Sequence, residues 1–593
     1  MFRLSSVLFI LLFAYTGFSQ TPAFNKKPNI ILLMADDLDD IFTPPYFPEV
    51  LPLVDSLQKL GIDFSNSFTP MSICCPSRSA TLTGTYAHQN GVYRNVAVNG
   101  GWEAFRHNEP YTLPAYLSKS GYRTTMIGKY LNGYGDKGEP PPPFGWTDGS
   151  VFTSYYFYSG YDYDMLFWDN GVAVNDTTWK VSNKVLKHFG HAPEDYTTDF
   201  LTKEAVSFIQ KAEKNDEQPF FMYLTPTAPH FPLQAAPRYK KMADERWANV
   251  PVPPRKNVAN DYGKLATEAE KEMPLDKSSW MRKTWKKRVK QLNKGVGYYN
   301  LTFKGKVPKT IKRYAQADWF NRMGSLYALN DMLRELIRSL KENGEWDNTL
   351  LIFTSDNGFM LGAHAMLHKG NPYEESIRVP MVIAGGDSLH LDTPGKTEEW
   401  VTNLDIMPTV LELAGVNIPD NVEGISIVPL LKNDSITHLR DRFVMEYVGP
   451  GMAVTAFSEL PKLMFKRMPL YILDHPTYNA IRMKVTTTEN GKPKEQVFKY
   501  IEWQQNCKRK VLHFSNKFRN KDPELMAKIA AGDKKILKLK ALAEEVETEL
   551  YNLTEDPYEM DNLLYYKPAE YKEIASQLKQ AMTEIVSKKT GIK

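Results

Sequence analysis

The chain has 593 residues, 42% of them hydrophobic and 12% aromatic, which suits a globular enzyme with a large core and excludes a disordered or fibrous chain. Lys and Arg total 73 against 69 Asp and Glu, a formal net charge of +4, so charge gives no argument for a nucleic-acid partner. Three cysteines, Cys74, Cys75 and Cys507, are too few for a disulfide framework.

In chain order, Arg3, a mostly apolar stretch at 7–14 and the small residues Gly17 and Ser19 read as a secretory signal over 1–19. That stretch is too short to span a bilayer, and no later segment looks transmembrane. The expectation is an exported protein without stable membrane insertion, periplasmic or secreted. The low cysteine count points to a bacterial host, in which the N-x-[ST] sequons at Asn175, Asn300, Asn433 and Asn552 are chance matches.

Residues 28–35 form an apolar run that predicts a strand buried on both faces and ends in Asp36-Asp37. Cys74-Cys75-Pro76-Ser77-Arg78 follows, with Leu82-Thr83-Gly84 behind it and His88 in the segment 85–91. A strand over 122–127 leads into Gly128-Lys129-Tyr130-Leu131-Asn132, and the prolines at 140–143 mark a loop. The spacing of Phe200, Leu201, Ala205, Phe208 and Ile209 predicts a helix over 200–211, with Thr198 as N-cap. A strand over 219–225 precedes His230. Residues 280–313 carry Arg282, Lys283, Lys286, Lys287, Arg288, Lys290 and Lys294 among Trp285, Tyr298 and Tyr299. A solvated helical face explains that stretch, and a surface that tracks a polyanionic glycan is the alternative. Leu326, Leu329, Leu333, Leu336, Ile337 and Leu340 stripe a helix over 314–340, stopped by Gly344. A strand over 349–354 delivers Asp356-Asn357. The segment 361–370 holds His364, His368 and Lys369, and a last buried strand covers 379–384.

Buried strands alternating with amphipathic helices predict an α/β domain with a mostly parallel sheet and a site beyond the carboxyl ends of its strands. Asp36, Asp37, Asp356 and Asn357 then come from two strand ends as oxygen-only ligands, suited to calcium or magnesium. Asp39 and Asp40 read as surface acids.

The run from Cys74 to Gly84 closely resembles the maturation signature of type I sulfatases. Taken alone, Cys74 is an ordinary buried thiol. The resemblance implies that Cys74, two residues before Pro76, is oxidised to formylglycine by a maturation enzyme that also reads Ser77 and Arg78. A hydrated aldehyde carries two hydroxyls on one carbon. One attacks sulfur; the other loses its proton so that sulfate leaves and the aldehyde returns. The resemblance further implies Ca²⁺ held by Asp36, Asp37, Asp356 and Asn357 with the modified Cys74, and Arg78 supporting the site. Lys129, His230 and Lys369 would grip sulfate, and His230 or Lys369 would protonate the leaving alcohol. His364 and His368 are weaker candidates for lining the substrate pocket. Where many arylsulfatases have histidine two residues after the lysine, this chain has Leu131, so His88 or Lys129 is left as base for sulfate release.

Gly128-Lys129-Tyr130-Leu131-Asn132, continued by Phe144-Gly145-Trp146, resembles the glucosamine-6-sulfatase and heparan-type branch together with bacterial polysaccharide sulfatases. The sulfatase resemblance implies an alkaline-phosphatase-like α/β sandwich and a smaller C-terminal domain with an antiparallel sheet; a boundary after Pro429-Leu430-Leu431, near Leu439, gives 20–439 and 440–593. Glu549-Leu550-Tyr551-Asn552-Leu553 resembles a segment common near sulfatase C-termini. The expected substrate is a sulfated polysaccharide or its oligosaccharides, an algal glycan such as ulvan or a glycosaminoglycan. The alternatives are a phosphonate or phosphate-ester hydrolase and a catalytically dead glycan-binding homologue.

Overall fold

The computed structural model describes residues 26–588 except 42, 96–98, 154, 176–177, 213–217, 249, 251–310, 362, 387–388, 390–394, 433–437, 449–476, 505–545 and 560. The signal segment, the basic stretch up to residue 310, Cys507, Asn300 and Asn433 lie outside the described residues.

In chain order the strands are β1 (Asn29–Ala35), β2 (Ile62–Phe68), β3 (Arg123–Gly128), β4 (Asp148–Phe152), β5 (Tyr163–Ala173), β6 (Trp179–Phe189), β7 (Phe220–Thr225), β8 (Thr349–Ser355), β9 (Met360–Leu361), β10 (Leu367–His368), β11 (Met381–Gly385), β12 (Gly395–Thr402), β13 (Arg442–Tyr447), β14 (Tyr478–Glu489), β15 (Lys492–Gln504) and β16 (Val546–Asn552). Ten of them form one sheet in the order β12-β2-β11-β8-β1-β7-β3-β4-β5-β6. The run β8-β1-β7-β3-β4 is parallel throughout. β11 is antiparallel to both its neighbours, and β5 and β6 form an antiparallel hairpin at the other edge.

All seven residues of β1 are buried, as a central parallel strand covered on both faces requires. Successive side chains point to opposite faces. Ile31 and Leu33 join the core under α3 (Thr197–Ala212) and α4 (Ile311–Glu342). Ile30, Leu32 and Met34 join the core under α5 (Ile406–Leu413). α3 begins at Thr197, so the expected cap Thr198 lies inside its first turn. Gly344, with φ of 75°, follows the end of α4.

The four-stranded antiparallel sheet β13-β14-β15-β16 packs under α6 (Lys572–Val586) through Leu578, Ala581 and Met582. A buried cation anchors it to the segment between β10 and β11. Lys499 Nζ lies 2.8 Å from Glu374 Oε1 and 2.7 Å from Glu559 Oε1, and it donates to Pro372 O. Arg482 adds a contact to Glu374 at 3.3 Å. Tyr373 donates to Glu549 in the same layer. Burial raises the Glu374 carboxyl, but Lys499, Arg482 and Arg378 outweigh it and hold it at about 2. Among the described residues no helix is long and apolar enough to cross a membrane. Asn552 is buried and accepts from Thr554 N–H, so its sequon is not presented for modification in the folded chain.

Replacing Lys499 with alanine leaves buried Glu559 without its cation and Glu374 with only Arg482 and Arg378 nearby. The expected cost is about 3–5 kcal/mol of stability, measured by urea unfolding. A loss below about 1 kcal/mol would show that Lys499 is not what neutralises them.

Candidate active site

The site begins with register. Ala35 lies opposite Ser355 at the ends of the adjacent parallel strands β1 and β8. The next residues, Asp36-Asp37 and Asp356-Asn357, therefore leave the sheet side by side. Asp356 N–H donates to Ala35 O at 3.1 Å, and Asp37 N–H donates to Asp356 Oδ1 at 3.1 Å. All four side chains are buried. Asn357 Nδ2 donates to Asp37 Oδ1 at 2.7 Å, while Asn357 Oδ1 is buried without a hydrogen-bond partner.

The helix α2 (Cys74–Thr83) points its N-terminus at these acids, and every residue in it is buried. It ends at Gly84, whose φ of 63° is a conformation that favours glycine. Cys74 Sγ lies 3.8 Å from Asp36 Oδ1 and 2.7 Å from Lys369 Nζ. Burial pushes the Cys74 thiol up, against the opposing pull of Lys129 and Lys369. One turn on, Arg78 Nε donates to Asp356 Oδ2 at 2.9 Å and Arg78 Nη1 donates to Lys129 O at 2.9 Å.

The remaining cations arrive from other strand ends. Lys129 follows β3, and its Nζ lies 2.7 Å from Asp36 Oδ2. Gly128, with φ of 111°, precedes it where a Cβ would stand 2.3 Å from Thr225 O, so only glycine lets β3 turn here. His230 follows β7, with Nε2 3.6 Å from Asp37 Oδ2 and Nδ1 donating to Phe231 O. Lys369 follows β10 and contacts Asp37 Oδ1. Burial raises the Asp36 carboxyl, but Lys129, His230 and Arg78 outweigh it and hold it at about 2. Asp37 is likewise held below the ordinary range, burial being outweighed by Lys369 and His230. Burial lowers His230 despite both acids. Lys129 and Lys369 sit above the usual lysine range, because their carboxylate partners outweigh burial.

Cys74, Arg78, Lys129, His230, Lys369, Asp36, Asp37, Asp356 and Asn357 thus converge. His88, His364 and His368 have other surroundings. His88 Nδ1 pairs with Glu446 of β13 at 2.8 Å, and its ring stacks on Tyr86. His364 stacks on Tyr373 at 4.2 Å, with Nε2 3.9 Å from Glu375. The ring of His368 meets Phe359 edge-on.

Asp39 and Asp40 are not surface acids. Asp39 is fully buried, pairs with Arg322 and accepts from Thr43 Oγ1 at 2.9 Å. Arg322 also donates to Asp37 O at 2.6 Å, so the pair pins the loop that carries the acids. Asp40 is half-buried against Arg378 at 3.2 Å. An acidic run at a strand end looks solvated in sequence because its arginine partners lie far along the chain.

Two asparagines escaped the sequence reading. Asn95 Oδ1 accepts from Cys75 N–H at 2.9 Å, satisfying a donor at the start of α2. Asn403 Nδ2 reaches Ser77 O, Ser77 Oγ and Thr81 Oγ1 at 2.9–3.1 Å. Neither lies in a pattern that marks it.

A sulfatase family model matches residues 28–416. The chain belongs to the sulfatase family. It hydrolyses sulfate esters. Among curated relatives, the N-acetylglucosamine-6-sulfatase of Homo sapiens is 29% identical over 464 residues, 76% of this chain and 72% of the relative. The N-acetylglucosamine-6-O-sulfatase of Bacteroides thetaiotaomicron is 27% identical over 451 residues, 70% of this chain and 72% of the relative. Among solved structures, BT4656 in complex with its substrate D-glucosamine-2-N,6-O-disulfate matches at a TM-score of 0.61 and 22% identity, over 95% of this chain and 98% of that one. The sulfatase fold is therefore an alkaline-phosphatase-like sandwich, as the motifs led us to expect.

The acid cluster of this sulfatase fits a hard divalent cation. Its donors are all oxygen, and the buried Asn357 Oδ1 stands ready without a partner. Ligand atoms of His364, Glu375 and Glu559 also lie within 4.8 Å of one another, but the Lys499 ammonium already stands 2.7 Å from Glu559.

Asn403→Ala should cost about 1–3 kcal/mol, since it leaves Ser77 O and Thr81 Oγ1 short of a buried donor. Urea unfolding measures this, and an unchanged midpoint would show that α2 does not depend on that side chain.

Proposed function

We propose that this sulfatase removes the 6-O-sulfate from glucosamine units of a sulfated glycan, using formylglycine made from Cys74 and a Ca²⁺ held by Asp36, Asp37, Asp356 and Asn357. The carrying observation is the placement of Cys74 at the head of a buried helix, within 3.8 Å of Asp36 and 2.7 Å of Lys369. The names of the human and Bacteroides relatives support a glucosamine 6-sulfate over an algal glycan. The Tyr130-Leu131-Asn132 segment beside Lys129 supports the same choice. The N-terminal segment supports export to a bacterial periplasm or beyond, and maturation requires a formylglycine-generating partner.

A divalent cation held by Asp36, Asp37, Asp356 and Asn357 would supply positive charge for the sulfate oxygens, and formylglycine at position 74 would supply the nucleophile. The chain's own residues do the rest. Lys129 and Lys369 bring fixed positive charge to the sulfate oxygens in a buried site, where it acts most strongly. Arg78 holds Asp356 in place from the far side and joins it to the Lys129 backbone. His230 Nε2 faces Asp37 at the mouth of the site; because Nδ1 keeps the proton it gives to Phe231 O, it is the imidazolium form that carries an Nε2 proton for the departing sugar oxygen. Neither residue expected as base for sulfate release fits that role here: His88 is committed to Glu446, and Asp36 holds Lys129 as a cation.

The deciding experiment measures released sulfate from glucosamine 6-sulfate and from ulvan oligosaccharides. It uses protein from a host with a maturation enzyme and aldehyde trapping of the Cys74 peptide. Turnover of the glucosamine substrate, reduced at least about a thousandfold by Cys74→Ala, is expected. Turnover of ulvan alone would overturn the substrate, and full activity in Cys74→Ala would overturn the nucleophile. Exhaustive chelation, with metal content checked, should abolish activity and calcium should restore it. Full activity in metal-free protein would remove calcium from the scheme.

A further inference from the structure

His230 has one hydrogen bond that fixes its ring, from Nδ1 to the neighbouring Phe231 O. That bond sets one point in the ring plane. It does not stop the imidazole from rocking about the bond, and the side chain is 20% exposed at the mouth of the site. Nε2 approaches Asp37 Oδ2 only to 3.6 Å, too long for a hydrogen bond, so a restraint on the ring plane is needed if Nε2 is to keep one direction.

The loop between β4 and β5 supplies it. Phe157, in the 3₁₀ turn Tyr155–Ser159, stacks on Phe152 of β4 with centroids 4.6 Å apart and planes 14° apart. Phe152 in turn meets the buried Tyr163 of β5 edge-on. Tyr158 packs on Phe157 at 4.3 Å, then lies on the His230 imidazole at 4.2 Å with planes 27° apart. Lys129 Nζ is 5.1 Å from the centre of the Tyr158 ring. A column of aromatic faces therefore runs from the core, through Phe152 and Phe157, to Tyr158 and His230. Tyr158 also lines the recess beside Lys129 with Asn132 and Asp136.

We propose that Tyr158 is a positioning residue for His230. Its ring face, anchored through Phe157 and Phe152, holds the imidazole plane so that Nε2 points toward the reacting group. This rests on the role given to His230 under the proposed function. The stack uses the ring and not the hydroxyl, so phenylalanine should replace tyrosine and an aliphatic residue should not.

The test compares Tyr158→Phe with Tyr158→Leu, and with Tyr158→Met in case the leucine variant does not fold. The first readout needs no turnover. In full-length protein with labelled histidine, the His230 Cε1–H resonance is assigned with His230→Gln. It should carry the shielding of a stacked ring in the wild type and in Tyr158→Phe, and lose it in the aliphatic variants. The second readout is steady-state sulfate release by matured protein. The aliphatic variants should lose about tenfold or more in kcat with KM changed by less than about threefold, and Tyr158→Phe should stay within about threefold in both. An unmoved His230 resonance in an aliphatic variant would overturn the proposal. So would a Phe variant as slow as the aliphatic ones, because the hydroxyl would then carry the effect. A wild type that releases no sulfate from any ester would instead defeat the proposed function, and the His230 resonance would still decide the stack.

Discussion

Three buried carboxylates at the ends of two neighbouring strands repel one another, and the rest of the site exists in a form that offsets that repulsion. Asp36 and Asp37 leave β1 where Asp356 leaves β8, all out of contact with water. Uncompensated, such a group would take up protons and lose its charge. Arg78, Lys129 and Lys369 each place a cation on one of these acids, and His230 stands beside Asp37. The four come from α2, the segments after β3 and β10 and the loop after β7, so the charge balance ties together elements from across the large sheet.

The fold makes this possible through parallel register. Adjacent parallel strands deliver their following residues to the same edge of the sheet. β3, β7, β1 and β8 are neighbours in the sheet, although they are spread over the chain from Asn29 to Ser355. α2 adds the positive end of a helix dipole beside Cys74. The helix is buried along its whole length, so its polar residues need partners, and Asn403, Asn95, Asp356 and Lys129 provide them. The same arrangement costs stability, since each buried charge surrenders its hydration.

Much of this was legible in sequence because it is local. Apolar runs closed by acids, a strand followed by Gly128-Lys129 and the ordered string from Cys74 to Gly84 are features of contiguous residues. The central strands and the long helix α4 were visible for the same reason: a buried strand or an apolar stripe is written in consecutive positions. What the sequence hid is pairing over distance. Asp39 looked solvated until Arg322 appeared beside it. His88 looked like a site histidine until β13 brought Glu446 to it. Asn403 and Tyr158 belong to no pattern at all, and they matter only through what the fold sets against them. The antiparallel interruption at β11 was equally out of reach, since strand direction within a sheet leaves no mark on the strand's own residues.

The ion pairs around Lys499 have a consequence for how defects in this enzyme would present. The short stretch from Lys369 to Glu374 ends in the catalytic cluster on one side and in the small sheet on the other. Its position is therefore set from both directions. A lesion in β15 or β16 that loosens Lys499 or Glu549 would release the stretch that holds Lys369, and an activity screen would score it as damage to the chemistry. A map of inactivating substitutions on this chain would show two patches far apart in sequence, one of them with no chemical role of its own.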